Sequence, residues 1–154
     1  MKEMKNNKGF SLVELIIVIA IMAILVGVMA PQLIKYIEKS KVSADTQAAD
    51  SVHTAVLTAM MDPEIVNVST YNSEFKNYQS GQSVTALSTG SGTIGSAALE
   101  ILGATAGGDV TGSLKSTGAT DIQFKIVGNN KVSVWVPGSD SRGSKSGSPF
   151  IVVE

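Results

Sequence analysis

The chain has 154 residues, a formal net charge of −1, a single histidine and no cysteine. That length suits one compact domain plus an accessory segment. The near-neutral balance offers no basic excess to hold a phosphate backbone. Without cysteine, neither disulfides nor thiolate metal sites can brace the fold.

Residues 1–9, MKEMKNNKG, set Lys2, Lys5 and Lys8 against Glu3. Residues 10–34 follow as FSLVELIIVIAIMAILVGVMAPQLI, with Glu14 as the one acid. As an α-helix at about 1.5 Å per residue this run spans about 37 Å, enough to cross a bilayer core of about 30 Å. The basic flank predicts a single pass with the N-terminus in the cytoplasm. A secretory signal is the competing reading, since Val28-Met29-Ala30 imitates its cleavage site. Its apolar core is usually about 7–15 residues, and here the run is longer and Pro31 would follow the cut.

Helical patterning continues past Ile34. Ala48, Val52, Ala55, Val56, Ala59 and Met60 recur at steps of three and four and make one apolar stripe. Lys35/Glu38, Glu38/Lys41 and Lys41/Asp45 are spaced as charge pairs on the other face. Asp62-Pro63 ends the pattern, because the residue before proline is pushed out of the α region. A helix from residue 10 to residue 61 would be about 78 Å long. No small domain can bury that length, so its first half must lie in lipid or against other subunits. Pro31 lacks an amide donor and presses on the carbonyl of Gly27, which predicts a kink or loosened stretch over 27–31.

From Asn67 the composition shifts to Ser, Thr, Gly and Asn, and residues 62–121 read as a Gly/Ser-rich connection. Within it, residues 96–103 suggest a short helix capped by Ser96 and stopped by Gly103. Ile122, Phe124 and Ile126 alternate with polar residues, as do Val132, Val134 and Val136 beyond the turn VGNNK; this is a β-hairpin. Residues 150–154 give a third strand after the loop PGSDSRGSKSGSP. The apolar face of this sheet (122–154) needs a cover, and the stripe of the amphipathic helix 35–61 is the obvious one. The expected class is α+β: a long N-terminal helix, half membrane-spanning (10–34) and half amphipathic, packed on a small antiparallel sheet in a soluble head (35–154).

The stretch KGFSLVELIIVIAIMAIL resembles the N-terminus of type IV pilins and of their relatives, the pseudopilins of type II secretion and DNA-uptake machines. The matching residues are the basic leader, Gly9 before the cut, Phe10 at the new N-terminus, Glu14 four residues on, and the helix proline Pro31. The resemblance implies that a prepilin peptidase/methyltransferase removes residues 1–9 and methylates the amine of Phe10. Subunits then leave the cytoplasmic membrane through a pilus assembly platform. They polymerise into an extracellular helical homopolymer with the apolar helices at its core. Glu14 on one subunit would neutralise the Phe10 ammonium of its neighbour, penalising wrong registers because an unpaired buried charge is expensive. The other role open to Glu14 is a cap on its own helix.

Remaining motifs carry less. The run from Gly90 to Gly95 matches G-x-G-x-x-G, but that fingerprint needs a βαβ unit with an acid about 20 residues on, and Asp109 and Asp121 fit poorly. His53 has no cysteine partner for a metal. Trp135 faces away from the valine side of its strand and either covers a second packed face or meets a subunit or ligand. Arg142 and Lys145 are too few to hold nucleic acid, which is not an expected partner. Asp140 alone falls far short of the roughly six to eight oxygens of a calcium site. No catalytic, cofactor or metal constellation emerges. The expected role is a structural subunit of a type IV pilus, with a pseudopilin of a secretion or competence apparatus as the alternative.

Overall fold

A computed structural model describes residues 9–87, 93–116, 118–128, 131–137 and 149–153. The leader lysines, Gly90 to Gly92, the turn residues Asn129 and Asn130, and Asp140, Arg142 and Lys145 lie outside the described residues. The chain divides into two compact units, Met1–Ile37 and Glu38–Glu154. Helix α1 runs from Leu12–Met61, helical at every residue, Pro31 included.

In the second unit, the head, α1 buries Ala49, Val52, Ala55, Val56, Ala59 and Met60. Ala48 is partly buried beside them. The serines and threonines of this stretch satisfy themselves locally: Thr46, Ser51, Thr54 and Thr58 each donate to the carbonyl four residues earlier. Helix α1 stops at Asp62-Pro63, and the same pair starts the next helix. Asp62 caps α2 (Pro63–Val66), its carboxylate accepting from the Glu64 amide at 2.8 Å, and proline stands at the first helical position, where no donor is needed. Tyr71 Oη donates to the Met60 carbonyl at 3.2 Å, occupying one of the carbonyls the ending helix leaves free.

The connection over 62–121 holds more structure than its composition suggests. Helix α3 (Tyr71–Tyr78) and strand β1 (Gln82–Ser83) come first, then a 3₁₀ turn at Val84–Ala86. Helix α4 (Ile94–Leu102) and helix α5 (Gly107–Thr111) follow. The expected helix at 96–103 therefore begins two residues early. Thr93, not Ser96, is its cap, and Ser96 is the third helical residue of a capping box, its hydroxyl accepting from the Thr93 amide at 3.1 Å. Gly103 ends it with φ +66, as a left-handed terminator. Glu74 of α3 accepts from the Ile94 amide at 2.9 Å, a carboxylate at a helix N-terminus.

Strands β2 (Gln123–Val127), β3 (Lys131–Pro137) and β4 (Pro149–Val153) complete an antiparallel sheet in the order β1-β2-β3-β4. The hairpin register pairs Phe124 with Val134 and Ile126 with Val132. The alternation turns Ile122, Phe124, Ile126, Val132, Val134 and Val136 into one buried face, in a single core with the α1 stripe, Ile94, Ala98 and Leu99. Tyr78 stacks at a tilt on Phe124, ring centroids 5.1 Å apart. Strand β1, which the sequence reading left inside the loop, joins the sheet through Gln82 opposite Phe124.

One buried group departs from its expected place. Asp45 belongs to no surface pair with Lys41: it is 1% exposed and sits in register with the stripe, four residues before Ala49. Its carboxylate accepts from the Lys115 amide and the Ser116 amide, both at 2.8 Å, and from the Ser116 hydroxyl. Lys41 instead lies 3.6 Å from Glu38.

Candidate functional site

The residues singled out for processing and assembly fall in the first unit. Gly9 and Phe10 precede the helix in non-helical conformation, and Phe10 is 90% exposed. Helix α1 opens with a reciprocal cap. The Ser11 hydroxyl accepts from the Val13 amide at 3.4 Å, and Glu14 Oε2 accepts from the Ser11 amide at 3.0 Å. Glu14 thus makes its half of the S-x-x-E capping box, whose sequence signature is this spacing ahead of an apolar run, while Ser11 caps the second helical amide and not the third. Sequence reasoning gave Glu14 the option of a cap but missed Ser11 as its counterpart.

Beyond the cap, every residue from Leu12 to Ile37 is exposed within the chain. Helix α1 is long and apolar enough to cross a membrane, and none of its most apolar window is buried. Glu14 and Lys35 are the only charged residues between Gly9 and Ile37. Nothing lies within 4 Å of a Cβ built on Gly27, so a close approach by a neighbouring backbone is open there. Such a surface is far larger than the few hundred Å² of contiguous apolar patch that soluble monomers expose. It must be covered by lipid or by protein.

The other candidates stay in the head. His53 is half-buried on α1, and the described residues contain no group of His, Cys, Asp and Glu fit to hold a metal. Trp135 is half-buried on the sheet face opposite the core. Its Nε1 donates to Gln123 Oε1 at 3.1 Å, and its ring lies against Gly81. The helix after Gly92 is not part of a βαβ unit among the described residues, where every strand pair is antiparallel.

The family described as "Prokaryotic N-terminal methylation motif" matches residues 4–30. The type IV major fimbrial protein FimA of Dichelobacter nodosus is 41% identical over 56 residues, 36% of either chain. A fimbrial protein of Pseudomonas aeruginosa is 33% identical over 89 residues, 58% of this chain and 57% of its own length. The matches thus span about a third and just over half of those relatives. No solved structure matches. The class is that of chains with a prepilin-type N-terminal methylation motif. Similarity to type IV fimbrial proteins over part of the chain then supports a likeness to the type IV pilins. Both relatives carry the names of fimbrial proteins, not of enzymes.

Proposed function

We propose that this chain is the structural subunit of a type IV pilus, made as a precursor in the cytoplasmic membrane and assembled into an extracellular filament. The observation that carries the reading is the uncovered apolar helix whose first turns lie within the methylation motif. A prepilin peptidase/methyltransferase cuts after Gly9 and methylates Phe10. An assembly platform then draws the subunit from the bilayer into a helical homopolymer. Gly27 and Pro31 act as a softening point where the helix bends as it moves from lipid to filament.

Glu14 supplies the register. In a dry filament core the Phe10 ammonium needs an anion, and removing one member of a buried pair costs about 3–5 kcal/mol. The cap on Ser11 engages Oε2, which leaves Oε1 for the ammonium of a neighbour. The fimbrial names of the relatives favour a pilus over a pseudopilus. Intact-mass analysis together with electron microscopy of labelled cell surfaces tests the proposal. Loss of residues 1–9 with one added methyl, and labelled filaments, are expected; a mature start at Pro31 would overturn it.

A further inference from the structure

Glu14 and Lys35 stand 21 residues apart on one uninterrupted helix, the two charges of an otherwise uncharged stretch. At about 1.5 Å per residue that separation is about 31 Å, close to the thickness of a bilayer's hydrocarbon layer, about 30 Å. The 20 residues between them, 15–34, are all exposed, and about 20 is the number that crosses such a layer. Both ends carry groups suited to a polar boundary. Gln32, Lys35 and Tyr36 follow the i, i+3, i+4 spacing of one helix face and are all exposed, Tyr36 by 68%. Lysine and tyrosine keep an apolar body in lipid and a polar tip among headgroups. At the other end Glu14 Oε2 reaches back to the Ser11 amide at 3.0 Å. Its charge therefore lies nearer the helix start than its own backbone does.

We propose that Glu14 and Lys35 mark the two surfaces of the hydrocarbon layer while the subunit is in the membrane, and so fix the depth of the helix. The inference rests on the membrane stage of the reading above and adds where the helix stops. Lys35 and Tyr36 meet the phosphate-bearing headgroups of one leaflet, and the capped helix start meets those of the other. The apolar run begins at Phe10 and by itself allows a deeper seat, with Glu14 about one turn inside the layer. Two costs oppose that seat. A carboxylate in hydrocarbon is expensive. The first amides of a helix also lack carbonyl partners within it, so they need a cap or water. Phe10, Leu12 and Val13 therefore lie among the headgroups. So does the Gly9–Phe10 bond, where water for its hydrolysis is at hand.

The chain has no native cysteine, so single cysteines report the boundary in the full chain. The protein is reconstituted in phosphatidylcholine–phosphatidylglycerol vesicles with a water-soluble maleimide on both sides. Maleimide takes the thiolate, which hydrocarbon suppresses, so Leu12→Cys and Ile37→Cys should react at least about tenfold faster than Ile17→Cys, Leu25→Cys and Leu33→Cys. Lys35→Leu should lengthen the protected stretch and slow Ile37→Cys toward the rate of Leu25→Cys, while Lys35→Arg should leave it fast. Glu14→Leu should slow Leu12→Cys in the same way. A Leu12→Cys or Ile37→Cys as slow as Leu25→Cys in the parent would overturn the inference. So would either boundary cysteine keeping its full rate beside the matching leucine variant. In those outcomes the membrane reading would stand. A Leu25→Cys as fast as Leu12→Cys and Ile37→Cys would instead show a helix outside the bilayer, and the membrane reading would fall together with this boundary.

Discussion

Asp45 on the long helix and Ser116 are 71 residues apart in sequence and joined by a 2.8 Å hydrogen bond from the Ser116 amide to the Asp45 carboxylate. The same carboxylate takes the Lys115 amide, so one acid holds the chain just before it enters β2. A cysteine-free head thus has a polar clasp across a long loop. Asp45→Ala would leave the two buried donors of Ser116 and the partly buried Lys115 amide without this acceptor and should cost about 3 kcal/mol or more. Asp45→Asn keeps the volume but turns an N–H pair toward donors, so it should fall near the alanine variant. Urea unfolding of a 38–154 fragment measures both; an asparagine variant as stable as the parent would show that shape, not the carboxylate, holds the loop.

That fragment should fold alone, because the head has its own continuous core of helix stripe and sheet. Val56 is fully buried within it. Val56→Asp places an unpaired charge there and should destabilise by about 3 kcal/mol or more. Equal melting of parent and variant would mean that the stripe does not cover the sheet at that point.

Tyr78 gives the head an alkaline limit. Burial, with the Glu74 carboxylate adding to it, pushes its hydroxyl up to about 12. Folding therefore favours the protonated phenol. That contribution is complete below the unfolded value of about 10 and is lost as pH rises toward 12, about 2–3 kcal/mol in all. The urea midpoint of the fragment should drop between about pH 9 and about pH 11.5, and Tyr78→Phe should remove this part of the drop. A phenylalanine variant with the parent's alkaline profile would assign the loss to other groups.

Gly107 and Gly108 are neighbours with opposite expectations. A Cβ at Gly107 would lie 1.8 Å from the Val84 carbonyl oxygen and 2.9 Å from Thr85 Cα, both backbone atoms that cannot swing aside. Gly107→Ala should push α5 off the 3₁₀ turn and cost about 1–3 kcal/mol. A Cβ at Gly108 meets nothing within 4 Å. Gly108→Ala should be neutral, or stabilising by up to about 1 kcal/mol through helix propensity. Thermal melts of the two fragments decide it; similar melts would refute the close approach.

The periodic parts of the fold were legible because burial writes itself into spacing. Val52, Ala55, Val56 and Ala59 declare a helix face, and Phe124, Ile126, Val132 and Val134 declare a sheet face. The 62–121 connection was not legible, because its order comes from caps and crossings, not from stripes. Strand β1 is only two residues long, and α4 starts at Ile94, whose amide meets Glu74, twenty residues earlier in the chain. Asp45 was readable and misread. It lies on the apolar stripe four residues before Ala49 and seven before Val52, yet its charge suggested a partner in Lys41. An acid in phase with a buried face should be assigned a buried donor first. At the processing segment, Ser11 was equally readable, as the cap residue three positions ahead of Glu14.

The capping box sharpens the test of Glu14, because it separates two roles that one substitution would mix. Glu14→Leu removes both the acceptor for the Ser11 amide and the negative charge. Glu14→Gln keeps an acceptor, since glutamine serves in a capping box as well as glutamate, and removes only the charge. Both residues are good helix formers, so insertion and leader removal should survive in each. If the carboxylate neutralises a neighbour's Phe10 ammonium, the glutamine variant should fail in assembly nearly as badly as the leucine one. Each leaves a buried ammonium unpaired at about 3–5 kcal/mol, which disfavours each addition step by about a hundredfold or more. Processed subunit should accumulate in the membrane while surface filaments disappear. Mixed expression with the parent should restore part of the yield by spacing the unpaired amines among good neighbours. Filaments at the parent's level from Glu14→Gln, with none from Glu14→Leu, would reduce Glu14 to the cap of its own helix. The register would then have to come from elsewhere along the uncovered helix.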